Sequence, residues 1–168
     1  MKNLVLIGMM GVAKSTVGRI VADKLNLTFV DGDSEIESRN ALKISEIFAI
    51  YGEERFRRME KIVYEEFSNE QNMVIACGGG VVLSPEIMEK LSCEVVVRLT
   101  ATPEMIYQRV KNNAERPLLK DGGVEKIRAI AEQRENLYLR YAHYTVDNTD
   151  ISVNECAEKV IEYYLKNA

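Results

Sequence analysis

"LVLIGMMGVAKST", Leu4–Thr16, decides how the rest of the chain is read. Apolar residues run into a glycine, and Lys-Ser-Thr then opens a helical pattern, which is a buried strand, a loop and a helix start in succession. Gly8-Met9-Met10-Gly11-Val12-Ala13-Lys14-Ser15 matches the phosphate-loop pattern G-x-x-x-x-G-K-S at every fixed position except Ala13. In such a loop the backbone N–H groups face a phosphate and the helix end adds its positive dipole. The lysine reaches the outer phosphates and the serine hydroxyl takes a place on Mg²⁺. Gly8, Gly11, Val12, Ala13, Lys14, Ser15 and Thr16 are therefore the expected nucleotide-binding residues. A plain glycine turn with a solvated Lys14 is the competing reading, and strand, Lys-Ser-Thr and helix together weigh against it. If the loop needs a left-handed backbone at Ala13, its Cβ costs on the order of 1–2 kcal/mol. Charged to nucleotide binding, that is about a tenfold loss of affinity, not its abolition.

Outward from the loop, the chain alternates. Apolar runs at Asn3 to Ile7, Thr28 to Val30, Met73 to Ala76, Glu94 to Leu99 and Tyr144 to Val146 are separated by helical patterns, as in a parallel sheet with crossover helices. Ser84-Pro85 and Thr102-Pro103 read as a cap followed by a first-turn proline. There is no repeat and no low-complexity linker, so the 168 residues are expected to form a single domain. The stretch "NNAERPLLKDGG", Asn112 to Gly123, is polar and ends in two glycines, and reads as a surface loop.

Composition narrows the function classes. A net charge of −4 without a basic stripe argues against a nucleic-acid surface. The short apolar run at the N-terminus passes straight into the glycine loop, so it reads as a first strand and not as a signal peptide, and no membrane segment is expected. Cys77, Cys93 and Cys156 are odd in number and in no paired spacing, which fits a reducing cytoplasm better than a disulfide framework. His143 is the only histidine, and no catalytic role is read for it.

"FVDGDSEIE" puts Asp31 and Asp33 at the carboxyl end of the second strand, where ligands of open α/β sheets bind. Continued strand alternation would turn both carboxylates to one side, one towards a metal near Ser15 and the other towards an acceptor hydroxyl. The alternative is that Asp33 or Ser34 merely caps the next helix, "SEIESRN".

"GMMGVAKSTVGR", "DGDSEIE", "ISEIFAIYGEERFRRME", "GGGVV", "ERPLL" and "EQRENLY", in that order, resemble shikimate kinase from Leu4 to about Asp147. The resemblance implies an α/β fold of the P-loop, nucleoside-monophosphate-kinase-like kind, a three-layer sandwich around a central parallel five-stranded sheet. It also implies transfer of the γ-phosphoryl of ATP to the 3-hydroxyl of shikimate, on the route to aromatic amino acids. Lys14 and Ser15 would bind phosphates and Mg²⁺, Asp31 would hold the metal through water, and Asp33 would grip the shikimate hydroxyls.

Arg57 and Arg134 would take the shikimate carboxylate, a task suited to the planar guanidinium fork. Gly78, Gly79 and Gly80 would let the substrate approach the backbone. Arg116 would swing onto the transferring phosphates from a lid at about 112–123, and Arg109 would stack near adenine. The helical region at about 32–60 would bind substrate, and the family leads one to expect a monomer. Arg57, Arg58 and Glu60 could instead form a solvated helix face.

Two departures stand out: Ala13, where the family carries glycine, and Ala76-Cys77, where many members carry a hydroxyl residue. Gluconate kinase shares the phosphate loop but has no need of Asp33, Arg57, Arg134 and the triple glycine together. A kinase-like binding module disabled by Ala13 is the non-enzymatic alternative.

Overall fold

The computed structural model describes residues 1–111 and 123–168. Five strands, β1 (Leu4–Ile7), β2 (Thr28–Asp31), β3 (Met73–Ala76), β4 (Val95–Thr100) and β5 (Tyr144–Asp147), pair in parallel in the order β2-β3-β1-β4-β5. Each lies within one residue, at either end, of an apolar run legible in the sequence. Central strands β1 and β3 are wholly buried and β4 nearly so, whereas the edge strand β2 is mostly half-buried and the edge strand β5 mostly exposed. Continuous apolar runs in the middle and mixed ones at the edges are what a sheet covered on both faces requires.

Seven α-helices surround the sheet among the described residues: α1 (Lys14–Leu25), α2 (Gly32–Asn40), α3 (Ile44–Asn69), α4 (Pro85–Leu91), α5 (Pro103–Val110), α6 (Gly123–Tyr141) and α7 (Val153–Asn167). Both proline-marked starts are present. The Thr102 hydroxyl accepts from the Met105 N–H at 3.3 Å, whereas Ser84 holds the cap position without a side-chain bond. Helix α7 docks Cys156, Ala157, Val160, Ile161 and Tyr164 into the core, a stripe at helical spacing, and starts with a Ser152–Glu155 capping box. No described helix is long and apolar enough to cross a membrane.

Asn3 locks the amino ends of three strands. Its backbone N–H meets the Glu94 carboxylate at 2.6 Å, its side-chain amide donates to the Glu70 carbonyl at 2.8 Å, and its side-chain oxygen accepts from the Met73 N–H at 3.0 Å. At the opposite end the topology opens a crevice. The connection after β1 runs to one side of the sheet and the connection after β3 to the other, so loops diverge from the carboxyl ends of two adjacent strands. The phosphate loop leaves β1 and the triple glycine leaves β3 at this point.

Candidate active site

The phosphate loop forms between β1 and α1 as its sequence demands. The Lys14 side chain is buried, and its ammonium donates to the Gly8 and Met9 carbonyls, both at 2.8 Å. The first turn of α1 has no acidic residue to compete for its N–H groups. Ala13 stands at φ 67° and ψ 28°, so the alanine does occupy the left-handed conformation. Nearby, Arg109 of α5 donates to the Gly11 carbonyl at 3.3 Å and to the Asn148 side-chain oxygen at 2.9 Å.

Asp31 and Asp33 are both at the carboxyl end of β2, but not on one extended segment. The strand ends at Asp31 and α2 begins at Gly32, so strand alternation does not reach Asp33. The helix is capped by Asp31, and not by Asp33 or Ser34 as in the capping alternative: one Asp31 oxygen accepts from the Ser34 N–H at 3.0 Å while the other takes the Ser15 hydroxyl. Capping therefore turns one oxygen of Asp31 towards the phosphate loop. Asp33, the second residue of α2, lies against Gly78 instead.

Each of the three glycines faces a different part of the site. A Cβ on Gly78 would come within 2.5 Å of an Asp33 carboxylate oxygen. One on Gly79 would meet the Met10 backbone nitrogen of the phosphate loop at 3.2 Å, and one on Gly80 would meet the Arg57 guanidinium at 3.0 Å. A side chain at Gly78 or Gly80 would displace the end of Asp33 or Arg57, and one at Gly79 would press on the backbone of the phosphate loop.

Arg57 is half-buried on α3 and donates to the Glu60 carboxylate at 2.7 Å and to Glu53 at 3.3 Å. Glu60 is 1% exposed, which rules out a solvated helix face at this point. Burial raises the Glu60 carboxyl above its ordinary range, and the neighbouring Arg57 only partly offsets this. Arg58, by contrast, is exposed and paired with Glu54, so the two adjacent arginines divide between site and solvent. From α6, Arg134 donates to the Gly79 carbonyl at 3.1 Å and the Tyr138 hydroxyl donates to the same oxygen at 2.6 Å. Asp33, Arg57 and Arg134 all act electrostatically on Glu60, which marks them as one cluster. Arg116 lies outside the described residues.

Several contributors escape a reading of the sequence. Tyr64 is buried, and its hydroxyl accepts from the Gly78 N–H at 2.9 Å, which orients the start of the glycine run. Burial raises its phenol and also pushes the neighbouring Cys77 thiol far up, so Cys77 is a small buried filler and not a nucleophile. Arg98 of β4 makes a two-pronged ion pair with Glu135 beneath the α6 face that carries Arg134 and Tyr138. Only the helical spacing of Arg57 and Glu60, and of Arg134 and Tyr138, hinted at these supports. His143 is structural, its ring Nδ1 accepting from the Val96 N–H at 3.2 Å.

Comparison with known proteins agrees with this geometry. The shikimate kinase family model matches residues 10–165. A shikimate kinase from Thermoanaerobacter pseudethanolicus is 43% identical over 168 residues, covering 99% of this chain and 98% of that protein. The solved shikimate kinase from Acinetobacter baumannii in complex with shikimate superposes with a TM-score of 0.94 at 34% identity, covering 99% of this chain and 94% of that one. A gluconokinase from Sinorhizobium meliloti, at 11% identity and a TM-score of 0.57 over 98% of this chain and 92% of that one, shares the fold alone. With the family model spanning all but the two ends, and full-length relatives this similar, the chain belongs to the shikimate kinase family.

Proposed function

We propose that this chain moves the γ-phosphoryl group of ATP to the 3-hydroxyl of shikimate, giving shikimate 3-phosphate and ADP. One observation carries the reading: the triple glycine brings Asp33, the phosphate loop and Arg57 into contact with three successive backbone positions. An acid for an acceptor hydroxyl, a cradle for phosphate and a cation for a carboxylate thus meet in one crevice.

The residue roles follow from the chemistry of each group. Lys14 neutralises charge on the outer phosphates, and the loop N–H groups hold the chain that remains as ADP. Asp33 aligns the acceptor hydroxyl and takes up its proton. Arg57, oriented by Glu60, and Arg134, beside the Gly79 carbonyl, bind the carboxylate of the acceptor. Arg116, by family resemblance, meets the transferring group from a lid at about 112–123, while about 32–60 forms the substrate-binding region. Phosphoryl transfer asks the protein mainly for positioning and charge compensation, which is what these groups provide.

The oxygen donors of Ser15 and Asp31 are adjacent and of the hard kind that suits Mg²⁺. A Mg²⁺ held there, with Asp31 acting through water, would neutralise charge between the β- and γ-phosphates. Arg109, which donates to the Gly11 carbonyl of the phosphate loop, would by family resemblance stack near the adenine. Family resemblance and the three unpaired cysteines support a monomer working in the cytoplasm.

The test is ADP release from Mg-ATP with and without shikimate, on the natural protein and Arg57→Ala. Shikimate-dependent release is expected, and the variant is expected to raise the KM for shikimate about tenfold or more with the KM for ATP nearly unchanged. An unchanged shikimate KM would refute the carboxylate assignment. Nucleotide binding without turnover would favour the binding-module alternative.

A further inference from the structure

Two side chains from the segments that follow β4 and β5 set the path of Gly11, Val12 and Ala13. Asn148, 2% exposed in the turn after β5, donates from Nδ2 to the Val12 carbonyl at 2.8 Å. Its side-chain oxygen accepts from Arg109 Nη1 at 2.9 Å, and its backbone carbonyl accepts from Arg109 Nη2 at 3.1 Å. Arg109 Nη1 also donates to the Gly11 carbonyl at 3.3 Å. The backbone N–H of Asn148 donates to the Thr100 carbonyl at 2.9 Å, so the clamp is rooted in β4.

In a trans peptide the C=O and N–H point in opposite directions. Holding the Gly11 and Val12 carbonyls towards Arg109 and Asn148 therefore turns the N–H groups of Val12 and Ala13 the other way, as a phosphate-binding nest requires. The second of these peptides is the strained one. Rotating the Val12–Ala13 peptide plane by half a turn changes ψ of Val12 and φ of Ala13 together. It takes Ala13 from the left-handed region to negative φ, which removes the left-handed penalty of an L-residue, and it also points the Ala13 N–H out of the nest. That rotation breaks the bond to Asn148, whose buried Nδ2 donor would keep only the weak contact to Cys156 Sγ at 3.9 Å.

We propose that Asn148 is a positioning residue for ATP, holding the Val12–Ala13 peptide in its phosphate-binding orientation against the left-handed strain that alanine brings to position 13. The inference deepens the ATP half of the proposed function and rests on it. A glycine at this position would carry no such strain, so the need for Asn148 is tied to Ala13 itself.

The test is a double-mutant cycle read by direct titration of Mg-ADP without shikimate, on the natural protein, Asn148→Ala, Ala13→Gly and the double variant. Without the clamp, the flipped orientation, free of the left-handed penalty, dominates and only a minor fraction of the loop is competent to bind. Asn148→Ala is therefore expected to weaken ADP about tenfold in the natural background, and less than about threefold in the Ala13→Gly background, with the shikimate KM unchanged. Equal weakening in both backgrounds, no weakening, or a parallel rise in the shikimate KM would overturn the proposal. Should Asn148→Ala fail to fold, Asn148→Ser, which keeps a small hydroxyl in the buried site, is put through the same cycle with the same criteria. Absence of shikimate-dependent turnover in the natural protein would defeat the proposed function but leave this titration readable.

Discussion

Ala13 is held left-handed by hydrogen bonds on the Gly11 and Val12 carbonyls, within the fold itself. Its strain is consequently a cost of folding, and not the direct loss of nucleotide affinity that the bare motif implies. Ala13→Gly removes on the order of 1–2 kcal/mol of strain and adds about 0.5–1 kcal/mol of chain entropy cost. A net gain of about 0–1.5 kcal/mol is expected in urea unfolding, with Mg-ADP affinity nearly unchanged. Glu60 supplies the pH dependence. Its carboxyl is raised in the fold above the ordinary 4.5, mainly by burial, so the folded chain holds this proton more tightly than the unfolded one. The Glu60 contribution to stability is then greatest at acid pH and is lost as pH rises through the window just above 4.5. Comparing thermal unfolding of the natural protein and Glu60→Gln across that window should show the natural protein losing ground as pH rises. The reverse slope would mean that the Arg57 ion pair outweighs burial.

Among the elements, α3 shows how a helix can be bent to serve a site. Its residues run from Ile44 to Asn69, but Gly52 sits at φ 76° and ψ 173°, so the chain is two helices meeting at a kink. The first carries Phe48, whose ring meets Phe56 of the second at 4.7 Å, and the second carries Arg57 and Glu60. A Cβ at Gly52 would have nothing within 4 Å, so space is not what selects glycine there. The backbone conformation is one that essentially only glycine visits. Gly52→Ala is therefore a test of conformation without collision, and a stability loss of about 1–3 kcal/mol is expected in chemical denaturation. No change would mean that the two helices rejoin straight, which a rise in helical circular dichroism would reveal.

At the scale of the whole molecule, burial sorts chemically identical residues into different fates. Cys77 and Cys156 are sealed in the core and Cys93 is exposed. One thiol is expected to react quickly with a neutral disulfide reagent in the native protein, and all three after denaturation. Fast reaction of a second thiol in the native state would show that the core around Cys77 or Cys156 opens readily. The same sorting separates Arg57 from Arg58, neighbours in sequence of which one faces the crevice and the other solvent.

Taken alone, the amino-acid sequence determined what depends on neighbours along the chain. The strand, loop and helix of Leu4–Thr16, the five apolar runs and the proline-marked helix starts are legible because periodicity and turn chemistry act over a few residues. The ordered motifs likewise named the crevice before its geometry was known. The tertiary structure alone decided what depends on approach in space. It ended β2 at Asp31, so Asp33 reaches the site from a helix, and it buried Glu60 behind Arg57. It also gave each glycine of the triple run its own partner, and brought Asn148 onto Val12 from 136 residues away. A hydrogen bond or a steric contact between distant residues leaves no period in the sequence, because its selection acts on distance and orientation that exist only once the sheet has formed.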